Sequence, residues 1–217
     1  MKFIFFALAT GLVSVAPPVL GQQLDLNTPA AEMPQTEPVQ PKLAKGLLLM
    51  HEGRAFFSPC RDRSYLKIED VSANGAVLSA LQEFGLGSGR NLYVELVAVE
   101  QGGLLEVSAI NFAHTTARCL GSASNKEQWR AVGLDADWEA AAGVGSLRVE
   151  QRDRPELRTS YGALKSEGGQ HLIEATGAVL AIAPGMCRIA DGTTLTGWRA
   201  TLNLDGGEVL EGCAWER

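Results

Sequence analysis

The chain lacks the features that most directly announce a chemistry. Its four cysteines include no Cys-x-x-Cys pair, so the close thiolates of a structural zinc site are missing, and no cofactor or metal motif takes their place. No Gly-x-Ser-x-Gly elbow occurs, and the three histidines, His51, His114 and His171, stand in unrelated contexts, so no serine–histidine arrangement is legible. His114 falls at the end of an apolar run beside Thr115 and Thr116 and reads as a solvated polar residue. Gly85-Leu86-Gly87-Ser88-Gly89 has the composition of a phosphate loop, but it follows a helical pattern and precedes a strand, the reverse of the order phosphate binding needs. Basic residues are outnumbered, 19 Lys and Arg against 25 Asp and Glu for a net charge of −6, and form no basic face, which argues against nucleic acid and anionic membranes as partners. Beyond the first residues no apolar run approaches the roughly 20 needed to span a bilayer.

What is present begins with an export signal. Lys2 precedes the apolar stretch from Phe3 to Ala16, Pro17-Pro18 break it, and Val19-Leu20-Gly21 suits a signal peptidase, so cleavage is expected between Gly21 and Gln22. The same triplet has the form of a lipoprotein processing site, but Gln22 stands where a lipid-accepting cysteine would be. These features predict a soluble periplasmic protein with no membrane insertion after cleavage. Residues 22–44, with Pro29, Pro34, Pro38 and Pro41 among polar residues, read as a disordered tether.

From Gly46 the chain is rich in β signals. Leu47 to Met50 and Ala55 to Phe57 flank the turn pair Glu52-Gly53, and a third strand covers Ser64 to Ile68. A helix is predicted from Ala73 to Phe84. Val77, Leu78, Leu81 and Phe84 share one face, Ser72 or Asn74 caps the start, and Gly85 ends it. Strands Leu92 to Glu100 and Leu104 to Phe112 join through Gln101-Gly102-Gly103. Three strands, a helix and two strands is the order of a five-stranded barrel of the oligonucleotide/oligosaccharide-binding (OB) type over residues 45–121. After a joint at Gly121 to Asn125 come only strand and turn signals. Residues 126–217 are therefore expected to form an antiparallel sheet or barrel of seven to eight strands. Its clearest strand alternates Trp198, Ala200, Leu202 and Leu204 with polar residues. The fold class is thus mainly β, an OB-like barrel with one helix followed by an antiparallel β domain.

Four cysteines allow three pairings, and Cys60–Cys119 with Cys187–Cys213 is the one that keeps both bridges inside the two halves. On the chain-entropy estimate such bridges contribute about 4 and 3.5 kcal/mol, comparable with the stability of a small domain. Paired cysteines also fit an oxidising compartment. Trp129 and Trp198 fall on strand faces as core residues. Trp138, after the turn Leu134-Asp135-Ala136-Asp137, is placed at a rim where Asp135, Asp137 and the indole could grip a carbohydrate or a partner protein.

The stretch from Cys187 to Cys213, with Asp191-Gly192, Gly197-Trp198-Arg199-Ala200-Thr201-Leu202 and Glu211-Gly212-Cys213-Ala214, resembles the end of a family of uncharacterised bacterial envelope proteins, many of them lipoproteins. Arg54 to Cys60 is similar to that family's Phe-x-x-Cys segment, and Tyr93-Val94-Glu95-Leu96 to its strand before the second cysteine. The resemblance implies an amino-terminal barrel followed by a β-rich domain like the heat-shock META-type and lysozyme-inhibitor-like domains, and an envelope location. It implies no catalytic residues. Where the family tends to carry Gly-Asn-Glu-Pro-Phe-Trp, this chain has Gly133-Leu134-Asp135-Ala136-Asp137-Trp138.

The function expected from these residues is that of a non-enzymatic periplasmic accessory or binding protein whose partner is an envelope protein or a glycan. An inhibitor or sensor docking on an envelope protein such as a lysozyme is a first alternative. A cell-wall glycan hydrolase using Asp137 is a second.

Overall fold

In the computed structural model the described residues are 39–62, 64–87, 89–116, 118–120 and 126–217. The expected signal segment, most of the tether and the joint at 121–125 lie outside them. Strand β1 (Lys42–His51) turns through Glu52-Gly53 into β2 (Arg54–Pro59), and β3 (Leu66–Asp70) follows. β1 therefore starts inside the segment expected as tether: Lys42, Leu43 and Ala44 pair with Ala98, Val97 and Leu96, and this pairing holds a sequence whose polarity alone reads as solvated.

A 3-10 turn (Ala73–Gly75) leads into helix α1 (Ala76–Phe84), which buries Val77, Leu81 and Phe84 and ends at Gly85 with φ of 127°. Its start is capped from further back than the sequence suggests. The Leu78 N–H donates to Asp70 Oδ2 at 2.7 Å and the Val77 N–H to Ser72 Oγ at 3.1 Å, while Asn74 sits at φ of 57° inside the turn. One orphan donor each for Asp70 and Ser72 is the usual capping arrangement, displaced by the inserted turn. β4 (Leu92–Gln101) and β5 (Leu104–His114) complete the half as a hairpin.

These five strands close into a barrel. β1 pairs with β2 and β4, β2 with β3, β4 with β5, and a parallel pairing of Lys67–Asp70 on β3 with Leu104–Val107 on β5 shuts the ring. Leu48, Phe57, Leu92, Val94, Leu96, Val107 and Ile110 fill it, with the buried face of α1.

The second half has nine antiparallel strands, one more than the upper expectation: β6 (Trp129–Gly133), β7 (Trp138–Gly143), β8 (Ser146–Gln151), β9 (Leu157–Ser160), β10 (Lys165–Glu167), β11 (Gln170–Ala175), β12 (Ala178–Arg188), β13 (Thr194–Leu204) and β14 (Val209–Glu216). The addition is β10, three exposed residues with no apolar alternation to mark them. The strand expected from Ala178 to Ile182 runs on in β12 through Pro184 to Arg188. It does so through an irregularity between Pro184 and Cys187, the kind of position where a residue without an N–H is tolerated. β14 pairs with β6, and an isolated bridge between Tyr161 and Ala175 brings the end of β9 back to β11. A second core of Trp129, Trp138, Leu147, Val149, Ile173, Leu180, Ile182 and Leu202 lies within, lined by alanines from β6, β7, β13 and β14.

The two halves share one sheet. Thr194, Leu195 and Thr196 of β13 pair with His114, Ala113 and Phe112 of β5, and Leu195 reaches into the first core. Gly197 makes the approach feasible: a Cβ there would stand 1.8 Å from the Ile110 carbonyl oxygen. Both cysteine pairs are closed as expected, with Cα separations of 5.7 Å for Cys60–Cys119 and 5.3 Å for Cys187–Cys213. The second bridge is buried, whereas the first is exposed. Gly197→Ala should force β5 and β13 apart and lower stability by about 1–3 kcal/mol, the range for inserting a methyl group into packed surroundings. Urea unfolding of variant and parent checks it.

Candidate functional site

Along β4 the residues Leu92, Val94 and Leu96 point into the barrel, so Tyr93 and Glu95 point out of it. In an ordinary barrel that face meets water. Here it is covered, and Tyr93 and Glu95 are 2% and 5% exposed. Tyr93, Phe112 and Trp215 form a separate aromatic cluster, with Tyr93 edge-on to Phe112 at 6.2 Å and Phe112 tilted against Trp215 at 5.1 Å. Thus β14 lays its last turn of sequence against the outside of the first barrel.

The carboxylate of Glu95 is engaged on several sides. The Tyr93 hydroxyl donates to Oε1 at 2.7 Å, and Asn111 Nδ2 donates to Oε2 at 3.3 Å. Lys45 Nζ stands 3.1 Å from the same Oε2. A buried carboxylate without such partners would be too costly to keep ionised. Asn111, itself buried, is a clamp as well. Its Nδ2 donates to the Glu216 carbonyl and its Oδ1 accepts the Glu216 N–H, both at 2.8 Å, so one side chain of β5 satisfies both main-chain groups of a β14 residue.

Beside this network opens a cleft of about 700 Å³, lined among others by Lys45, Arg61, Asp62, Tyr93, Glu95, Phe112, Arg217 and the exposed Cys60–Cys119 bridge. Cys60 donates its N–H to the Lys45 carbonyl, Lys45 lies opposite Glu95, and Glu95 opposite Phe112. The floor of the cleft is therefore one row of residues running across four neighbouring segments. Sequence reasoning placed no function here. A signal existed: Glu95 is the one charged residue in the apolar run Leu92 to Val99.

The residues proposed at a rim are arranged differently. Asp135 and Asp137 are exposed in the β6–β7 turn, as expected, but Trp138 is 3% exposed and belongs to the second core. Its indole fits because Gly133 on β6 and Gly212 on β14 leave room: a Cβ at either would fall 2.6 or 2.7 Å from indole carbons. A ring held in that slot cannot stand as a rim platform. A depression of about 350 Å³ beside it is lined by Asp137, Glu139, Glu150 and Arg152, with one edge of the indole.

The histidines also acquire neighbours. His171 lies against Trp129 (4.7 Å) and half-buried Trp198 (5.5 Å), and its Nδ1 is 2.8 Å from Ser166 Oγ across the β10–β11 hairpin. Burial lowers its pKa from the ordinary imidazole value, against the opposing charge of Glu216. His114 is half-buried rather than solvated. Its Nδ1 accepts the Thr116 N–H at 2.9 Å and its ring stacks on Phe112, and burial lowers its pKa against the attraction of Asp191. Among the described residues no three histidine, cysteine or carboxylate side chains converge as a metal-ligating group.

Comparison with protein-family models, with curated proteins and with solved structures finds no match for this chain.

Burial, then the hydrogen bond and charge of Glu95, push the Tyr93 hydroxyl well above the ordinary tyrosine value, with Arg217 opposing. A group whose pKa is raised on folding supports stability that is fully present below its unfolded value, about 10, and is lost as pH rises above it. Stability should therefore fall with increasing pH above about 10, and Tyr93→Phe should flatten that fall. Chemical unfolding across alkaline pH measures both slopes, and equal slopes would remove Tyr93 as the cause.

Proposed function

We propose that this chain is an exported envelope protein that binds a ligand or partner in the cleft beside Glu95 and does not turn it over. The observation that carries this reading is the cleft itself. It is of ligand size, it is walled by the exposed Cys60–Cys119 disulfide and Leu120, and its one deeply buried carboxylate already has three partners within the fold. A carboxylate so engaged is a scaffold for the cleft rather than a free acid or base. Export is supported by the apolar amino terminus and by the use of all four cysteines in bridges.

We further assign the first barrel to the OB type, on its strand ring β1-β2-β3-β5-β4 with the helix between the third and fourth strands. The second half is assigned to the META-like class on its antiparallel strands and on the resemblance of the Cys187 to Cys213 stretch. Fold class alone names no ligand, so the partner is sought in the envelope, among soluble fragments of its glycans.

Tryptophan fluorescence titration with such fragments should show saturable binding with no new reducing ends. Phe112→Ala and Lys45→Ala should each weaken it about tenfold, the effect of roughly 1.4 kcal/mol. Release of cleaved fragments, or binding that both variants leave untouched, would overturn the reading.

A further inference from the structure

The cleft is unevenly supplied with hydrogen-bonding groups. Near the floor the Glu95 carboxylate is engaged by Tyr93, Asn111 and Lys45, and at the exposed edge Asp62 Oδ1 accepts the Ser64 N–H at 2.8 Å and the Ser64 hydroxyl. The arginine donors of the lining are not engaged in this way. Arg217 Nε is buried without a hydrogen-bond partner among the described residues. The nearest carboxylate, Glu127, lies at 4.0 Å and also faces Arg130 at 3.8 Å and Arg148 at 3.9 Å. Arg61, exposed just past Cys60, has no acceptor among the described residues. The remaining carboxylate of the lining, Glu100, is five strand residues from Glu95, about 17 Å at the usual rise.

We propose that the cleft takes a small oxyanion, a carboxylate or a phosphate, with Arg217 as its principal anchor and Arg61 as a second. Arg217 is half-buried, its Nε–H is withdrawn from water and unmet, which leaves a desolvated donor, and the planar fork of arginine suits the paired oxygens of these groups. Arg217 is held for this purpose from behind, its main-chain N–H donating to the Gln128 carbonyl at 3.0 Å and the preceding residue gripped by Asn111. Lys45 adds a third positive charge whose ammonium is partly exposed while resting on Glu95. Leu43, Pro59 and exposed Leu120 supply apolar surface for the body of the ligand. This inference rests on the cleft being a binding site and specifies what it binds.

The experiment follows the Arg217 Nε and Trp215 Nε1 resonances of the mature chain during titration with inorganic phosphate and, separately, with succinate. Saturable shifts with either probe are expected, and the probe that saturates first names the preferred oxyanion. Arg217→Gln should weaken binding at least tenfold, Arg217→Lys less, and Arg61→Gln severalfold. Arg158→Gln, an exposed arginine paired with Glu156, should change nothing. Unchanged amide spectra elsewhere establish that each variant is folded. Shifts that grow linearly to tens of millimolar, or saturable shifts indifferent to Arg217→Gln, overturn the inference. An uncharged glycan fragment that shifts the same resonances when neither anion does so overturns this inference and leaves the proposed function standing. Silence toward all three ligands overturns both.

Discussion

The pairing of β5 with β13 is the contact on which the rest of the molecule depends. It is only three residues long, yet it is surrounded by groups that make sense nowhere else. Gly197 lets the Ile110 carbonyl approach, Leu195 enters the first core, and Asn111 grips the Glu216 backbone with both ends of its amide. Because β14 follows β13 in a hairpin, placing β13 on β5 also delivers Trp215 and Arg217 to the outer face of β4. The aromatic cluster, the burial of Glu95 and the cleft are consequences of that placement.

The exposed bridge has a related role. Cys60 continues the row Lys45, Glu95, Phe112, and its bond to Cys119 ties the segment after β5 to the end of β2. The cleft is thus bounded by covalent structure on one side and by the carboxyl-terminal strand on the other. The Cys187–Cys213 bridge acts elsewhere: buried beside Ile189, it joins β12 to β14 and holds the strand that carries Trp215 and Arg217. Each bridge keeps one wall of the same cavity.

The local β pattern was legible in the sequence, and so was the helix, because alternation and helical spacing act over a few residues. The strands expected from Ser146 to Gln151 and from Gln170 to Ala175 are β8 and β11, and the Cys60–Cys119 and Cys187–Cys213 pairing follows from the division into halves. The failures have physical causes. β1 begins at Lys42 because β4 offers it partners, and β12 continues beyond Pro184 because an irregularity absorbs the missing donor. Trp138 looked like a rim residue from its turn, but its environment is decided by Gly133 and Gly212, which lie on two neighbouring strands. Arg217, some 120 residues from Glu95 in sequence, could be placed beside it only by the β5–β13 contact. The fold is local in its elements, and the site is not.

If that contact organises the molecule, the amides that form it must be as hard to open as the cores they connect. Native-state hydrogen exchange under increasing denaturant measures this directly. The amides of Ile110 to His114 and of Thr194 to Trp198 should exchange only through the same global opening as those of Val94 and Leu202. Exchange of the β5–β13 amides at markedly lower free energy, with the two cores opening independently, would contradict that role of the contact.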